Sequence, residues 1–237
     1  GLNSGTTTNA YDFVAYSNEI VSILIVIFSI LIASKLIAGE QSNGTMKLLA
    51  IRPYSRTKII FGKLFATIFF AAIFMLFATI CNLLIGIGFF GLPATSLMIG
   101  VFNGTSVFVS HPIVFLIFST FSIFLKIIMF TSIAVLISVL FKSYTGAAFS
   151  SFIIYILTFG LNFLLKGTSW YKFFPTANFD LYKYFIPLQQ TADPTLANII
   201  YPLFNDANFF LTLGIFLGTL LIIQLISIIT FKRKDIA

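Results

Sequence analysis

Five apolar runs, each long enough to cross a bilayer as a helix, leave this chain few ways to fold. A helix spans the hydrocarbon with about 20 residues, and the runs fall at about 20–38, 59–90, 112–141, 145–165 and 209–231. Lipid cannot satisfy open backbone N–H and C=O groups, and none of the runs has the alternation of a barrel strand. The composition agrees: 9% of the 237 residues are charged, against about 25% in a soluble domain. The mean hydropathy is +1.04. The expected fold is therefore an all-α polytopic bundle, one integral membrane domain over residues 1–237. The second and third runs, near 30 residues, would extend roughly 45 Å at 1.5 Å per residue. They are expected to tilt, kink or project beyond the hydrocarbon.

Lysine and arginine orient the spans. Lys35, Lys47, Arg52, Arg56, Lys58 and Lys63 cluster between the first two runs, with Glu40 the one acid among them. Lys142 lies between the third and fourth, and Lys232, Arg233 and Lys234 follow the fifth. If five spans alternate, these places share one side, which the positive-inside rule makes cytoplasmic. The other side carries Asp12, Glu19, Asp180, Asp193 and Asp206, with only Lys166, Lys172 and Lys183. The C-terminus is then cytoplasmic and the N-terminus external. No cleavable signal pattern opens the sequence, so a preceding helix, six spans in the intact protein, is the expectation. The expected setting is a bacterial plasma membrane.

Several chemistries find no support in the residues. The net charge of +7 sits beside the apolar runs as a topology signal and not as a nucleic-acid face. One cysteine, Cys81, gives no disulfide framework, and the lone His111 has no metal-ligand spacing. "GEQSNGTMK", residues 39–47, has the glycine spacing of a phosphate loop, but Thr45 stands where the lysine belongs. A phosphate loop also needs a preceding strand in an α/β domain, and here a membrane helix precedes it. Asn43-Gly44-Thr45 and Asn103-Gly104-Thr105 match the glycosylation sequon, and the expected topology and bacterial setting discount both.

Residues 39–58 suggest a hinge. Ser42 or Asn43 can cap a helix whose first turn holds Gly44 and Thr45. "MKLLAI" then forms a short amphipathic helix with Met46 and Leu49 on one face, ending at Arg52 before Pro53. Ser55 can cap the helix that begins at Arg56. From periodicity alone this is either a linker lying on lipid headgroups or a docking element.

The wider stretch "GEQSNGTMKLLAIRPYSRTKIIFGK" resembles the segment after the second span in permeases of the second ABC-transporter membrane family (ABC-2 type). The matching positions are Glu40, Gly44, Thr45, Leu48, Leu49, Pro53, Ser55, Arg56 and Lys63. "FFPTANFDLYKYF", residues 173–185, is similar to that family's external segment before the last span, and "FKRKDIA" to its cytoplasmic tail. The resemblance covers nearly the whole chain except the family's usual first span. It implies an exporter subunit whose crosswise coupling helix sits in a cleft of a separate ATP-binding subunit. Glu40, Gly44, Thr45, Met46, Leu48, Leu49, Arg52, Pro53 and Arg56 would form that docking element. "FKSYTG", with Lys142 and Ser143, would be a second, smaller contact.

Polar residues inside the runs are candidates for a substrate path. Lys126 falls near the middle of the third run, where a charge costs a few kcal/mol and flags function. The over-long run instead favours a lysine near the outer boundary, snorkelling to headgroups. Asn82, Asn162 and Gln224 suit interhelical hydrogen bonds, and Gly86, Gly88, Gly214 and Gly218 suit close helix approach. The segment 166–208 is aromatic, with Phe173 and Phe174 among its rings. It reads as an interfacial belt with short external helices, or as an exit gate.

The expected function is the membrane-spanning subunit of an ATP-driven exporter of an amphipathic peptide, drug or lipid-like substrate. It would have no catalytic residues and no cofactor or metal site of its own, ATP and magnesium being bound by two partner subunits. A second permease, identical or related, would complete the pathway. The alternatives are a secondary transporter or channel, disfavoured because every acid lies at or outside the span ends, and a non-transporting anchor that recruits an ATPase.

Overall fold

The computed structural model of the chain describes residues 10–44, 56–91, 99–102, 107–110, 112–165, 168, 170–179, 181 and 209–233. Among the described residues, five helices are long and apolar enough to cross a membrane, and together they form a helical bundle. Helix α1, Ala10–Ser34, continues without interruption through a π-turn, Lys35–Gly39, and a last α turn, Glu40–Ser42. Helix α2 is Arg56–Phe90, α3 Pro112–Leu140, α4 Tyr144–Leu165 and α5 Phe209–Arg233. The last four begin and end within three residues of the sequence expectation. The first does not: α1 starts ten residues before the apolar run. Residues 10–19 include Asn18 and Glu19, which end a linear run of hydropathy, yet both side chains find partners on neighbouring helices.

Hydrogen bonds between helices fix their directions. Asn18 of α1 meets Thr120 of α3, and Ser34 meets Ser138, so α1 and α3 run parallel. Asn18 meets Thr79 of α2, while Lys63, near the start of α2, meets the far end of α1, so that pair is antiparallel. Gln224 of α5 donates to Ser132 of α3 at 2.9 Å. The exposed cations Lys35, Lys58 and Lys142 consequently gather at one end of the bundle, and Lys232 and Arg233 close α5.

Helix α3 is the axis. Of its most apolar stretch 67% is buried inside the bundle, against 11% for α2 and 17% for each of α4 and α5. Ile127, Met129 and Phe130 of α3 pack with Ile25 and Ile37 of α1, Met75 of α2 and Phe216 of α5. Three of its buried hydroxyls are satisfied within the helix. Ser122, Thr131 and Ser138 each donate to a carbonyl one turn back, at 2.8, 2.8 and 2.6 Å. Such back-bonding lets small polar residues line helix contacts without stranding a donor in an apolar interior.

At Gly86 the backbones of α1 and α2 approach closely. A Cβ there would lie 3.0 Å from the Ala10 carbonyl oxygen and 3.2 Å from Phe13 Cδ1, so backbone would have to move. Gly86→Val is expected to destabilise the chain by about 1–3 kcal/mol, as overpacking does. Thermal unfolding in detergent checks this, with Gly88→Val as control, since nothing lies within 4 Å of a Cβ at Gly88. The same open space surrounds Gly214 and Gly218, so their G-x-x-x-G spacing marks no close contact among the described residues.

Two glycines end helices through a left-handed backbone. Gly91, φ +71°, follows α2, and its N–H donates to Ile87 O at 2.9 Å, an αL stop. Gly44, φ +72°, closes the helix that ends at Ser42. This corrects the expectation that Ser42 caps a new helix with Gly44 in its first turn. The Ser42 hydroxyl instead donates back to Gly39 O at 2.8 Å. A glycine that readily takes positive φ is the natural end of the preceding helix.

Away from the basic end lies a feature the apolar runs concealed: an antiparallel hairpin of β1, Ile99–Phe102, with β2, Val107–Ser110. Its sequence signal was Asn103-Gly104 between two short apolar stretches, a hairpin pair read above only as a sequon. Beyond α4, two 3₁₀ turns, Tyr171–Phe173 and Pro175–Asn178, supply short helices of the kind expected externally. They do not simply lie on the surface. Phe130 of α3 meets Tyr155 of α4 edge-on at 4.7 Å and Phe179 at 5.9 Å. The chain therefore returns toward the level of Tyr155, ten residues before the end of α4, and buries Phe179 and Leu181. Irregular backbone at such depth is tolerated where protein covers it.

Candidate functional site

Two constellations of polar side chains stand out, one at each level of the bundle. At the basic end, Lys63 reaches from α2 across to α1. Its ammonium donates both to the Glu40 carboxylate and to the Leu36 carbonyl oxygen. Leu36 lies in the π-turn, whose wider winding loosens the backbone ladder and exposes a carbonyl to a side-chain donor. The lysine side chain is only 11% exposed, so this contact is sheltered from competing water. One lysine thus fastens the two helices that flank residues 43–55.

The proposed docking residues divide around this fastening. Glu40 is engaged with Lys63, and Gly44 ends α1. Thr45, Met46, Leu48, Leu49, Arg52 and Pro53 lie outside the described residues. Arg56 opens α2, with its side chain outside the described set. Lys142 and Ser143 are exposed on the tight turn between α3 and α4. Ser143 Oγ accepts from the Gly146 N–H at 3.2 Å and caps α4.

The second constellation lies within the membrane-spanning part. The Asn18 amide, 1% exposed, donates to Thr79 Oγ1 at 3.1 Å and to Thr120 Oγ1 at 3.3 Å. Its oxygen accepts from Asn82 Nδ2 at 2.9 Å. One amide thereby joins three helices, each bond contributing about 0.6–1 kcal/mol. Thr79 and Thr120 also border a cavity of about 420 Å³ between α2 and α3, otherwise walled by apolar residues such as Met75, Leu76, Ile117 and Phe124. That volume is within the range of small-molecule sites.

Next to Asn18, Glu19 forms an ion pair with Lys126. Lys126 sits at the midpoint of α3, fourteen residues from either end, and is 6% exposed. This corrects the expectation that it snorkels at the outer boundary. A lysine stem spans only a few ångströms, and about 21 Å of helix separates Lys126 from each end of α3. Pairing inside the bundle is the alternative, and Glu19 supplies it. Glu19 likewise corrects the statement that every acid lies at or outside a span end, because it pairs with a lysine at the midpoint of α3. Hydropathy along the chain cannot register a charge whose counter-charge is 107 residues away.

The other candidates are scattered. Asn162 of α4 donates to Thr176 O at 3.2 Å, tying the returning segment to α4 and not another spanning helix. Phe173 and Phe174 are exposed. Partial burial of Tyr171 in this segment pushes its phenol above the usual range.

Comparison with known proteins places the chain. Residues 1–237 match the family described as "Protein of unknown function (DUF2705)". The chain belongs to that family. It is similar to the uncharacterized protein YhcI of Bacillus subtilis (strain 168), 28% identical over 202 residues, 83% of this chain and 64% of that protein. It is also similar to the uncharacterized membrane protein YdbK of the same organism, 26% identical over 221 residues, 90% of this chain and 83% of that protein. The chain thus spans less than two thirds of the first relative's length. The second relative's description as a membrane protein accords with the five helices long and apolar enough to cross a membrane.

Proposed function

We propose that this chain is the membrane-spanning subunit of an ATP-driven exporter, in a plasma membrane, with its basic end and C-terminus in the cytoplasm. The reading draws on the ABC-2-type wording of residues 39–63. One structural observation carries it: Lys63 fastens Glu40 and the Leu36 carbonyl across the two helices flanking the coupling segment. A push on residues 45–55 from an ATP-binding subunit then moves α1 and α2 as one lever. ATP and magnesium belong to two such partner subunits, and this chain contributes no catalytic group. A second permease copy or relative completes the pathway. The apolar cavity between α2 and α3, edged by two threonines, suits an amphipathic or lipid-like cargo.

Met46 and Leu49 are the apolar contacts of the proposed coupling helix. Replacing both with glutamate is expected to abolish co-purification with the ATP-binding partner and stimulation of its ATPase. Retained binding and stimulation in the double variant would sink the docking assignment.

A second reading, an ion-coupled carrier, draws on Glu19 and Lys126, the kind of intramembrane charges such carriers use. The two readings separate in cells: transport that stops on ATP depletion but survives collapse of the proton gradient favours the exporter.

A further inference from the structure

The cavity between α2 and α3 is built from one stripe of each helix. Ala72, Met75 and Thr79 follow at helical spacing on α2, and Leu116, Thr120 and Phe124 on α3. Three further lining residues, Leu76, Ile117 and Phe121, are 62%, 59% and 55% exposed on the bundle surface. The cavity therefore opens sideways, toward lipid. Among the described residues, no charged side chain lines it.

Its two hydroxyls differ in what they have left to give. Thr79 is saturated: it accepts from Asn18 at 3.1 Å and donates to Met75 O at 2.8 Å. Thr120 accepts from Asn18 at 3.3 Å, but its own O–H donates to no partner among the described residues. Ser122, two residues on, returns its proton to the carbonyl one turn back. Thr120 does not.

A donor that faces hydrocarbon unpaired costs about 1–3 kcal/mol, and the acceptor that meets it has to come from within the cavity. An alkyl chain alone fills the apolar walls and leaves the proton unmet. An ionised head group brings a charge to a cavity with no counter-charge on its walls. A neutral amphiphile satisfies both demands. Its oxygen accepts from Thr120, and its chain lies along Ala72, Met75 and Phe124.

We propose that this cavity is a binding site for neutral single-chain amphiphiles with an oxygen head group, of the long-chain alcohol class, entering sideways from the bilayer. As a cargo site it rests on the exporter reading and narrows the cargo to uncharged lipid-like molecules. As a binding site it needs no ATP-binding partner.

The test uses a photoreactive dodecanol, with a diazirine in its chain, added to the full chain in phosphatidylcholine nanodiscs. Labelling is expected within residues 72–79 and 116–124, saturating with probe and displaced by unlabelled dodecanol. Dodecane and dodecyltrimethylammonium, of equal chain length, should displace the probe at least about threefold less well, the scale of one neutral hydrogen bond. Thr120→Val keeps the shape and removes the donor, and should weaken binding by about three- to tenfold. Thr120→Ser should restore it, and Ala72→Phe, which fills the cavity from α2, should abolish labelling of both segments. The site is overturned by any of three results: no saturable labelling of these segments, displacement by dodecane as effective as by dodecanol, or unchanged affinity in Thr120→Val. The first two are read on the wild-type chain and do not depend on how a variant folds. Failure of the site would leave the exporter reading with its cargo class unassigned. Loss of partner docking with intact alcohol binding would remove the exporter reading alone.

Discussion

Glu19→Gln is expected to destabilise the folded chain by about 3–5 kcal/mol, the range found when one member of a buried pair is removed. The reason lies in Lys126. The residue is 6% exposed at the centre of α3, and without Glu19 its ammonium keeps the cost of leaving water with no carboxylate to offset it. Removing the other member is expected to be milder. In Lys126→Met the orphan is Glu19, whose side chain is 32% exposed against 7% for that of Lys126. Removing both charges is expected to recover most of the loss, since neutral replacements of an embedded pair are often tolerated. Denaturation of the four proteins in mixed micelles, arranged as a double-mutant cycle, measures the coupling directly. Additive effects of the two single substitutions would show that the pair contributes nothing of its own.

The second large effect concerns the fastening at the basic end. Lys63→Met removes the ammonium that holds both Glu40 and the Leu36 carbonyl. A loss of about 2–3 kcal/mol is expected, the scale of charge-assisted hydrogen bonds in a sheltered position. Glu40→Gln is expected to cost less, because Lys63 keeps the carbonyl and gains a neutral acceptor. The local consequence matters more than the global one. Spin labels at Gln41 and Lys58 should report a single sharp distance in the wild-type chain and a broadened one in Lys63→Met. An unchanged distribution would mean that packing of α1 on α2 already fixes the hinge. If the exporter reading holds, Lys63→Met should also lower ATPase coupling while leaving partner binding in place, since Met46 and Leu49 are untouched.

The membrane bundle was legible in the residues because its signal is local. A run of about 20 apolar residues is a spanning helix wherever it sits, and α2 to α5 begin and end close to where the runs do. The clustering of lysine and arginine foretold which helix ends share a side, since alternation of spans follows from connectivity alone. The docking motif put Glu40 and Lys63 in one pattern, and the fold puts them in one ion pair. Nothing in their 23-residue separation required that contact, because the π-turn that presents Leu36 beside Glu40 has no sequence signature of its own.

Local signals failed where two local forces competed or where a partner was remote. Gly44 follows a capping serine and precedes an amphipathic stretch, so it could begin one helix or end another. Its positive φ shows that termination of α1 prevails. The hairpin of β1 and β2 was hidden because its strands are as apolar as the spans around them. Glu19 was assigned to the outside because polarity along a chain ordinarily marks a span end.

The sequence by itself determined that this protein lives in a membrane, that it crosses as helices, and which helix ends carry the positive charge. Each follows from transfer of individual residues between water and lipid, a property of composition and order. Only the tertiary structure decided that Glu19 and Lys126 belong to the interior and that Lys63 locks α1 to α2. A charge in an apolar medium is tolerated or not according to what stands within a few ångströms of it, and that neighbour is chosen by helix packing.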